Sequence, residues 1–204
     1  MVRPFACQLC RPATSPPARG ERLDPRRPLV LDVRELSRRP GAMRAVRRTV
    51  PAPDSLGLEL ARVPEGAPLE LDLRLESVVE GILVTGTATA PVTGECARCL
   101  SPVTDEVTAE IQELYAYQGS TTEETTEEDE VSHLAGDLVD LEPVVRDAVV
   151  LALPLSPLCR DDCRGLCVEC GAVLNELPAD HSHPVPIDPR WAALVDRGST
   201  DSQE

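Results

Sequence analysis

The 204-residue chain contains no lysine and few aromatic residues, which make up 2% of its composition. It also lacks any run of about 18 consecutive apolar residues, the length that predicts a membrane-spanning helix. Its core must therefore consist of aliphatic side chains, and a hydrophobic content of 42% is enough for one such core. The N-terminal segment has no apolar stretch typical of a secretory signal, so we expect a cytoplasmic protein without membrane contact.

The charge of the chain is distributed unevenly. All 20 basic residues are arginine, and residues 1–50 hold 12 of them against four acidic residues, a net charge of +8. Residues 51–204 carry a net charge of −23. A basic arm on an acidic body suits RNA or an acidic partner at one end, or an arm that folds back on its own body. The arginines that we expect to contact RNA phosphates are Arg38, Arg39, Arg44, Arg47 and Arg48.

The hydrophobic pattern predicts an α+β fold with a mostly antiparallel sheet. Leucines alternate with charged residues over residues 69–75, the period of a strand with one buried face. Residues 82–90 are predicted to return as its hairpin partner. Two further strands are predicted, over residues 28–36 and 103–117.

A helix is predicted over residues 141–153, where apolar residues recur at spacings of three and four. Asp140 is its candidate N-cap. Asp188 and Pro189 predict a second, short helix that extends to residue 196. Residues 37–49 are basic and interrupted by a Pro-Gly pair, so we expect a loop with at most one helical turn.

These elements divide the chain into one domain with flanking arms. We expect a disordered extension at residues 1–27, a domain at residues 28–197 and a disordered tail at residues 198–204. Within the domain, an acidic run at residues 119–131 is predicted to be a solvated loop, and residues 159–183 to be the zinc-binding segment.

Three closely spaced cysteine pairs and one histidine pair stand out in the sequence. They are Cys96 and Cys99, Cys159 and Cys163, Cys167 and Cys170, and His181 and His183. In a reducing cell such spacings indicate metal or redox chemistry rather than structural disulfides. Zinc takes four nitrogen or sulfur ligands in a tetrahedron, so eight ligands suffice for two closed structural sites. We expect the first four residues to form one site and the last four the other, with up to two zinc ions.

Other interpretations of these residues remain open. A redox CxxC pair or a zinc-handling protein would also use such cysteines, and the histidines could be surface residues. Cys7 and Cys10 repeat the spacing without further ligands nearby, so we interpret them as incidental. No catalytic motif is present, and two closed sites would leave no coordination position for water, so we expect no enzymatic activity.

Two segments, CARCLSPV at residues 96–103 and LALPLSPLCRDDCRGLCVECGAVLNE at residues 151–176, resemble the YceD family of large ribosomal RNA subunit accumulation proteins. The resemblance extends over roughly residues 28–195. It implies that the six cysteines match the family's cysteine positions. Family members often end the pattern with a further cysteine pair, where this chain has His181 and His183.

The resemblance also implies a bacterial, cytoplasmic protein without known catalytic activity. Its expected role is to support the accumulation of large-subunit ribosomal RNA and thereby ribosome assembly. The expected partner is that RNA or an assembly intermediate. The alternative is an adaptor whose acidic surface docks a basic ribosomal protein or processing factor.

Overall fold

The computed structural model describes residues 23–36, 40–54, 56–120 and 132–183. In chain order the elements of this part are β1 (Val30–Asp32), β2 (Met43–Pro51), β3 (Ala61–Arg62), β4 (Pro68–Ser77), β5 (Gly81–Glu95), β6 (Pro102–Ala116), β7 (Ser132–His133), β8 (Leu138–Asp140) and α1 (Glu142–Ala152). The fold is therefore α+β, mostly sheet with one short helix. Among the described residues, no helix is long and apolar enough to cross a membrane.

The larger sheet has six strands, of which five follow the order β2-β4-β5-β6-β7 while β3 pairs with β5. All its pairings are antiparallel except that of β7 with β6. A separate pair joins β1 to β8. The predicted hairpin of β4 and β5 is confirmed. β5 and β6 form a second hairpin, whose ladder runs from Gly81 and Ala116 to Glu95 and Pro102.

One face of the large sheet is covered and forms the core. The four leucines of β4 at positions 69, 71, 73 and 75 are all buried, whereas the charged residues between them are not. Helix α1 packs against β6 and buries Val145 and Val149. Aliphatic side chains of β1 and β8 join the same cluster. The core is thus aliphatic apart from Tyr115, in keeping with the scarcity of aromatic residues.

The predicted loop over residues 37–49 is wrong for most of its length, because β2 begins at Met43 and pairs with β4 over nine residues. β2 is the outermost strand on its side of the described sheet, a position where charged side chains are common. Its arginines therefore do not prevent a strand, and pairing with β4 overrides the weak local pattern. The Pro40-Gly41 pair lies before the strand and does not interrupt it.

Two predicted boundaries are corrected. β5 does not end at residue 90, as predicted, but continues through Pro91 to Glu95. Pro91 lies between the stretches of β5 that pair with β4 and with β3, where a residue without an N–H is tolerated. The N-cap of α1 is Leu141 rather than Asp140, although the Asp140 carboxylate accepts a hydrogen bond from the Glu142 N–H at 3.0 Å. The predicted helix at residues 189–196, most of the acidic run, residues 1–22 of the predicted extension and the predicted tail lie outside the described residues. Residues 23–27 of the extension are described, and the Arg27 N–H donates to the Asp24 carbonyl at 3.0 Å.

Candidate metal centres

The first candidate centre joins two distant parts of the chain. Cys96 and Cys99 lie in the turn between β5 and β6, whereas Cys159 and Cys163 lie in the segment that follows α1. The Sγ atoms of Cys96 and Cys163 are 3.8 Å apart, and those of Cys99 and Cys159 are 3.6 Å apart. All four sulfurs lie within 4.8 Å of one another. Only Cys159 of the four is exposed.

These separations fit a tetrahedral cation better than a disulfide. Four sulfurs at about 2.3 Å from a central zinc ion are about 3.8 Å apart along each edge of the tetrahedron. A disulfide instead requires an S–S distance of about 2.05 Å. The six described cysteines are all free thiols. The four residues of the first set are thus arranged as a metal ion would need them.

The second candidate centre is formed within one short segment by Cys167, Cys170, His181 and His183, whose ligand atoms also lie within 4.8 Å of one another. The Cys170 Sγ is 3.7 Å from the His181 Nε2, and the two histidine Nε2 atoms are 3.0 Å apart. The imidazole rings are nearly perpendicular, at 86°. Ring nitrogens that converge in this way suit a shared cation.

The two CxxC turns have the same backbone hydrogen bonds. In the first turn the Leu100 N–H donates to the Cys96 carbonyl at 2.9 Å, and the Cys96 N–H donates to the Ser101 carbonyl at 2.8 Å. The two corresponding bonds of the second turn are both 2.8 Å long. The residue after the second cysteine, Leu100 in one turn and Gly171 in the other, has a positive φ of 61° and 70°. The chain therefore contains two copies of one turn.

Hydrogen bonds to sulfur favour the thiolate form in the first turn. Burial alone would raise the pKa of Cys96, but backbone N–H groups, foremost those of Cys159 and Arg98, donate to its sulfur and lower the pKa to about 6. The pKa of Cys99 is also lowered, mainly by the side chain and backbone of Ser101. A metal ligand must be deprotonated, so these donors favour cation binding.

The second turn is similar in this respect. The backbone N–H groups of Cys170 and Glu169, together with the His181 side chain, lower the pKa of Cys167 to about 6. Cys159 is different: although the residue as a whole is exposed, desolvation of its sulfur and the neighbouring thiols raise its pKa to about 12. Without a cation, Cys159 would therefore keep its proton when Cys96 has lost its own.

Three residues around the first set were not predicted. The Arg98 guanidinium donates to the Cys163 carbonyl at 2.8 Å, and the Asn175 Nδ2 lies 3.2 Å from the Cys163 Sγ. The Ser101 Oγ is 3.3 Å from the Cys99 Sγ. Groups of this kind orient metal ligands and support their charge. Their only signal in the sequence is their position inside the two cysteine-containing segments.

The arginines predicted to bind RNA do not share one surface. Arg44 and Arg48 donate to carbonyl oxygens of residues 28–32, at 2.8 and 3.5 Å. Arg47 forms an ion pair with Asp72 at 3.1 Å and, by strand alternation, lies on the opposite face of β2. Arg38 and Arg39 lie outside the described residues. RNA binding by these side chains stays a prediction.

The chain is similar to one protein family and to proteins of several mycobacteria. A family model described as "Large ribosomal RNA subunit accumulation protein YceD" matches residues 84–196, more than half of the chain. Uncharacterized proteins of Mycobacterium tuberculosis and Mycobacterium bovis are 54% identical over 83% of this chain and 81% of their own length. An uncharacterized protein of Mycobacterium leprae is 50% identical over 83% of this chain and 77% of its own length. No solved structure matches.

Proposed function

Because the chain belongs to the YceD family, we propose that it supports the accumulation of large-subunit ribosomal RNA as a non-catalytic factor in ribosome assembly. The observation that carries this proposal is the family match over residues 84–196, a span that includes all eight candidate ligands. This role would place the protein in the bacterial cytoplasm, where ribosomes are assembled.

We further propose that each candidate centre holds one structural zinc ion. Four thiolates would bind the first ion, and two thiolates and two imidazoles the second. The sulfur separations of 3.6 and 3.8 Å and the backbone N–H donors in both turns support this assignment. Zinc at the first centre would cross-link two distant segments, and zinc at the second would close one short segment. With four protein ligands at each ion, no position remains for an activated water, which agrees with a non-catalytic role.

Total zinc in the purified protein tests the metal assignment. We expect about two ions per chain. One ion would contradict the second centre, and none would contradict both. Titration of accessible thiols with and without a chelator adds a control, because a redox or zinc-handling protein would expose reactive thiols before chelation.

A protein contact is the second candidate, and the described surface favours it over a broad RNA interface. Arg44, Arg47 and Arg48 are already engaged within the chain, and residues 51–204 carry a net charge of −23. In addition, Leu155, four positions before Cys159, and Val168, between Cys167 and Cys170, are 82% and 97% exposed. Apolar side chains on an acidic surface suit a basic protein segment with its own apolar anchors.

The cellular role is tested by deleting the gene and measuring the ratio of large- to small-subunit ribosomal RNA. We expect a lower ratio, restored by the intact gene and not by the variant Cys96→Ser/Cys99→Ser. The matched control is Cys7→Ser/Cys10→Ser, which has the same spacing and should restore the ratio. An unchanged ratio in the deletion strain would contradict the proposed role.

Binding measurements separate the two kinds of contact. Large-subunit RNA fragments and a basic ribosomal protein would each be titrated with the full chain across a salt series. An RNA contact through the basic arm predicts affinity that falls steeply with salt and is weakened by Arg44→Gln/Arg47→Gln/Arg48→Gln. Binding of the basic protein alone, unaffected by those substitutions, would support the adaptor.

A further inference from the structure

Asn175 contacts the first candidate centre from a position between the ligands of the second, although it belongs to neither set. Its Oδ1 accepts a hydrogen bond from the Arg164 N–H at 2.9 Å, and its Nδ2 lies 3.2 Å from the Cys163 Sγ. A backbone N–H can only donate, so the oxygen of the amide must face Arg164. The NH₂ group therefore faces the sulfur and donates to it.

The second turn puts Asn175 in this place. The chain reverses at Cys167–Cys170 and returns antiparallel to the residues before it, with Leu166 bridged to Val173. The Leu174 N–H donates to the Gly165 carbonyl at 2.9 Å. Asn175 is the next residue, and so its reach to Cys163 depends on the return of the chain that the second set of ligands encloses.

The first centre has a particular need for such a donor. Four thiolates around a divalent cation leave a net charge of −2 in a mostly buried cluster, and hydrogen bonds to the sulfurs offset that charge. Cys96 receives donors from the Cys159 N–H and from its own turn, and Cys99 receives them from its own turn. The side-chain donor to Cys163 is instead supplied by Asn175, from beyond the second turn.

We propose that Asn175 couples the two metal centres, so that metal bound at the second centre raises the metal affinity of the first. This inference rests on the proposed zinc sites and adds that they are not independent. Metal at the second centre holds the returning chain in place and thereby holds the Asn175 NH₂ against the Cys163 sulfur. By linkage, metal at the first centre raises the affinity of the second by the same factor.

The substitution Asn175→Asp tests whether the coupling of the two centres depends on the hydrogen bond from Asn175 to the Cys163 sulfur. It removes that donor and keeps the local fold. The carboxylate keeps an acceptor for the Arg164 N–H but puts an oxygen without a proton against the sulfur.

The second centre is disabled independently by His181→Ala/His183→Ala, or by Cys170→Ser. Zinc affinity of the first centre is measured by competition with a chelator. Cobalt absorption assigns the sites, since four thiolates and two thiolates with two imidazoles give different spectra.

We expect loss of the second centre to weaken the first by about 10- to 100-fold when Asn175 is present, and by little when it is replaced by aspartate. Glu176→Gln, an exposed neighbouring charge change, is the control and should leave the full effect. Equal effects with and without Asn175, or no effect in either, would overturn the coupling. Absence of metal from the parent protein would instead overturn the proposed zinc sites themselves.

Discussion

At the scale of single residues, the two CxxC turns have the same backbone conformation but differ in the amino acid at one position. The position after the second cysteine has a positive φ in both, and it is Gly171 in one turn and Leu100 in the other. A side chain at such a φ costs about 1–2 kcal/mol, whereas glycine adopts it freely. Leu100 therefore stores strain that the hydrogen bonds of its turn must offset.

Gly171→Ala should lower the free energy of unfolding by about 1 kcal/mol. A Cβ at this position would meet no atom within 4 Å, so the cost comes from the backbone alone. Urea denaturation at fixed zinc concentration measures it. The reverse change, Leu100→Gly, is the matched control and should not destabilise the protein. A loss of similar size in both variants would contradict the argument.

The ligands could be predicted from the sequence because their chemistry depends on residue type and spacing. The contacts of Arg98 and Asn175 could not, because each reaches Cys163 from a position well separated from it along the chain. Arg98 bonds to the carbonyl of Cys163, 65 positions away, and an exposed arginine in a turn has no pattern that indicates such a partner. Only the folded chain shows which polar side chains surround the thiols.

At the scale of elements, the success of prediction follows the strength of the periodic pattern. The alternation of β4 indicated both the strand and its buried face, because its leucines face the core. β2 was missed, since its arginines give no clean alternation and its conformation comes from pairing with β4. The helix was predicted within a residue or two, although its N-cap was displaced to Leu141.

Tyr115 links two of these elements and provides a pH-dependent prediction. Its hydroxyl donates to the Asp140 carbonyl at 2.8 Å, joining β6 to β8. Burial, with smaller contributions from the carboxylates of Glu113 and Asp140, raises its pKa in the folded chain. An unfolded tyrosine ionises first, at about pH 10. The stabilisation from neutral Tyr115 is therefore complete below that pH and is lost as the pH rises above it.

The variant Tyr115→Phe checks this prediction in urea denaturation at pH 7 and pH 11. At pH 7 the free energy of unfolding of the variant should be about 1 kcal/mol lower than that of the parent protein, which is the net value of a typical hydrogen bond. Between the two pH values, the parent protein should lose more stability than the variant. Equal losses in both would show that Tyr115 does not contribute to the alkaline instability.

At the scale of the whole molecule, the part of the chain that the structure describes has two separate apolar clusters. The large one fills the space between the sheet, α1 and β1, whereas the small one surrounds Cys96, Cys99 and Cys163. None of the six described cysteines belongs to the large cluster. The sheet therefore has its own source of stability, and the cysteine-rich end depends on its ligands.

Metal removal should accordingly loosen one end of the molecule and leave the other folded. After chelation, we expect the amides of Cys167 and Leu174 to exchange hydrogen rapidly while those at the centre of β4 and β5 stay protected. The free energy of unfolding should fall by several kcal/mol and return on addition of zinc. A uniform rise in hydrogen exchange, or no rise in either region, would contradict this division.

The long separation between the two halves of the first cysteine set has a consequence for synthesis. Cys99 and Cys159 are 60 positions apart, and Cys96 and Cys163 are 67 apart. A chain leaves the ribosome in order from its N-terminus, so the β5–β6 turn emerges with two thiols whose partners do not yet exist. A nascent chain therefore carries an incomplete dithiol until Cys163 has been translated. Translation that stalls in this interval would leave that dithiol open to oxidants and to the wrong metals.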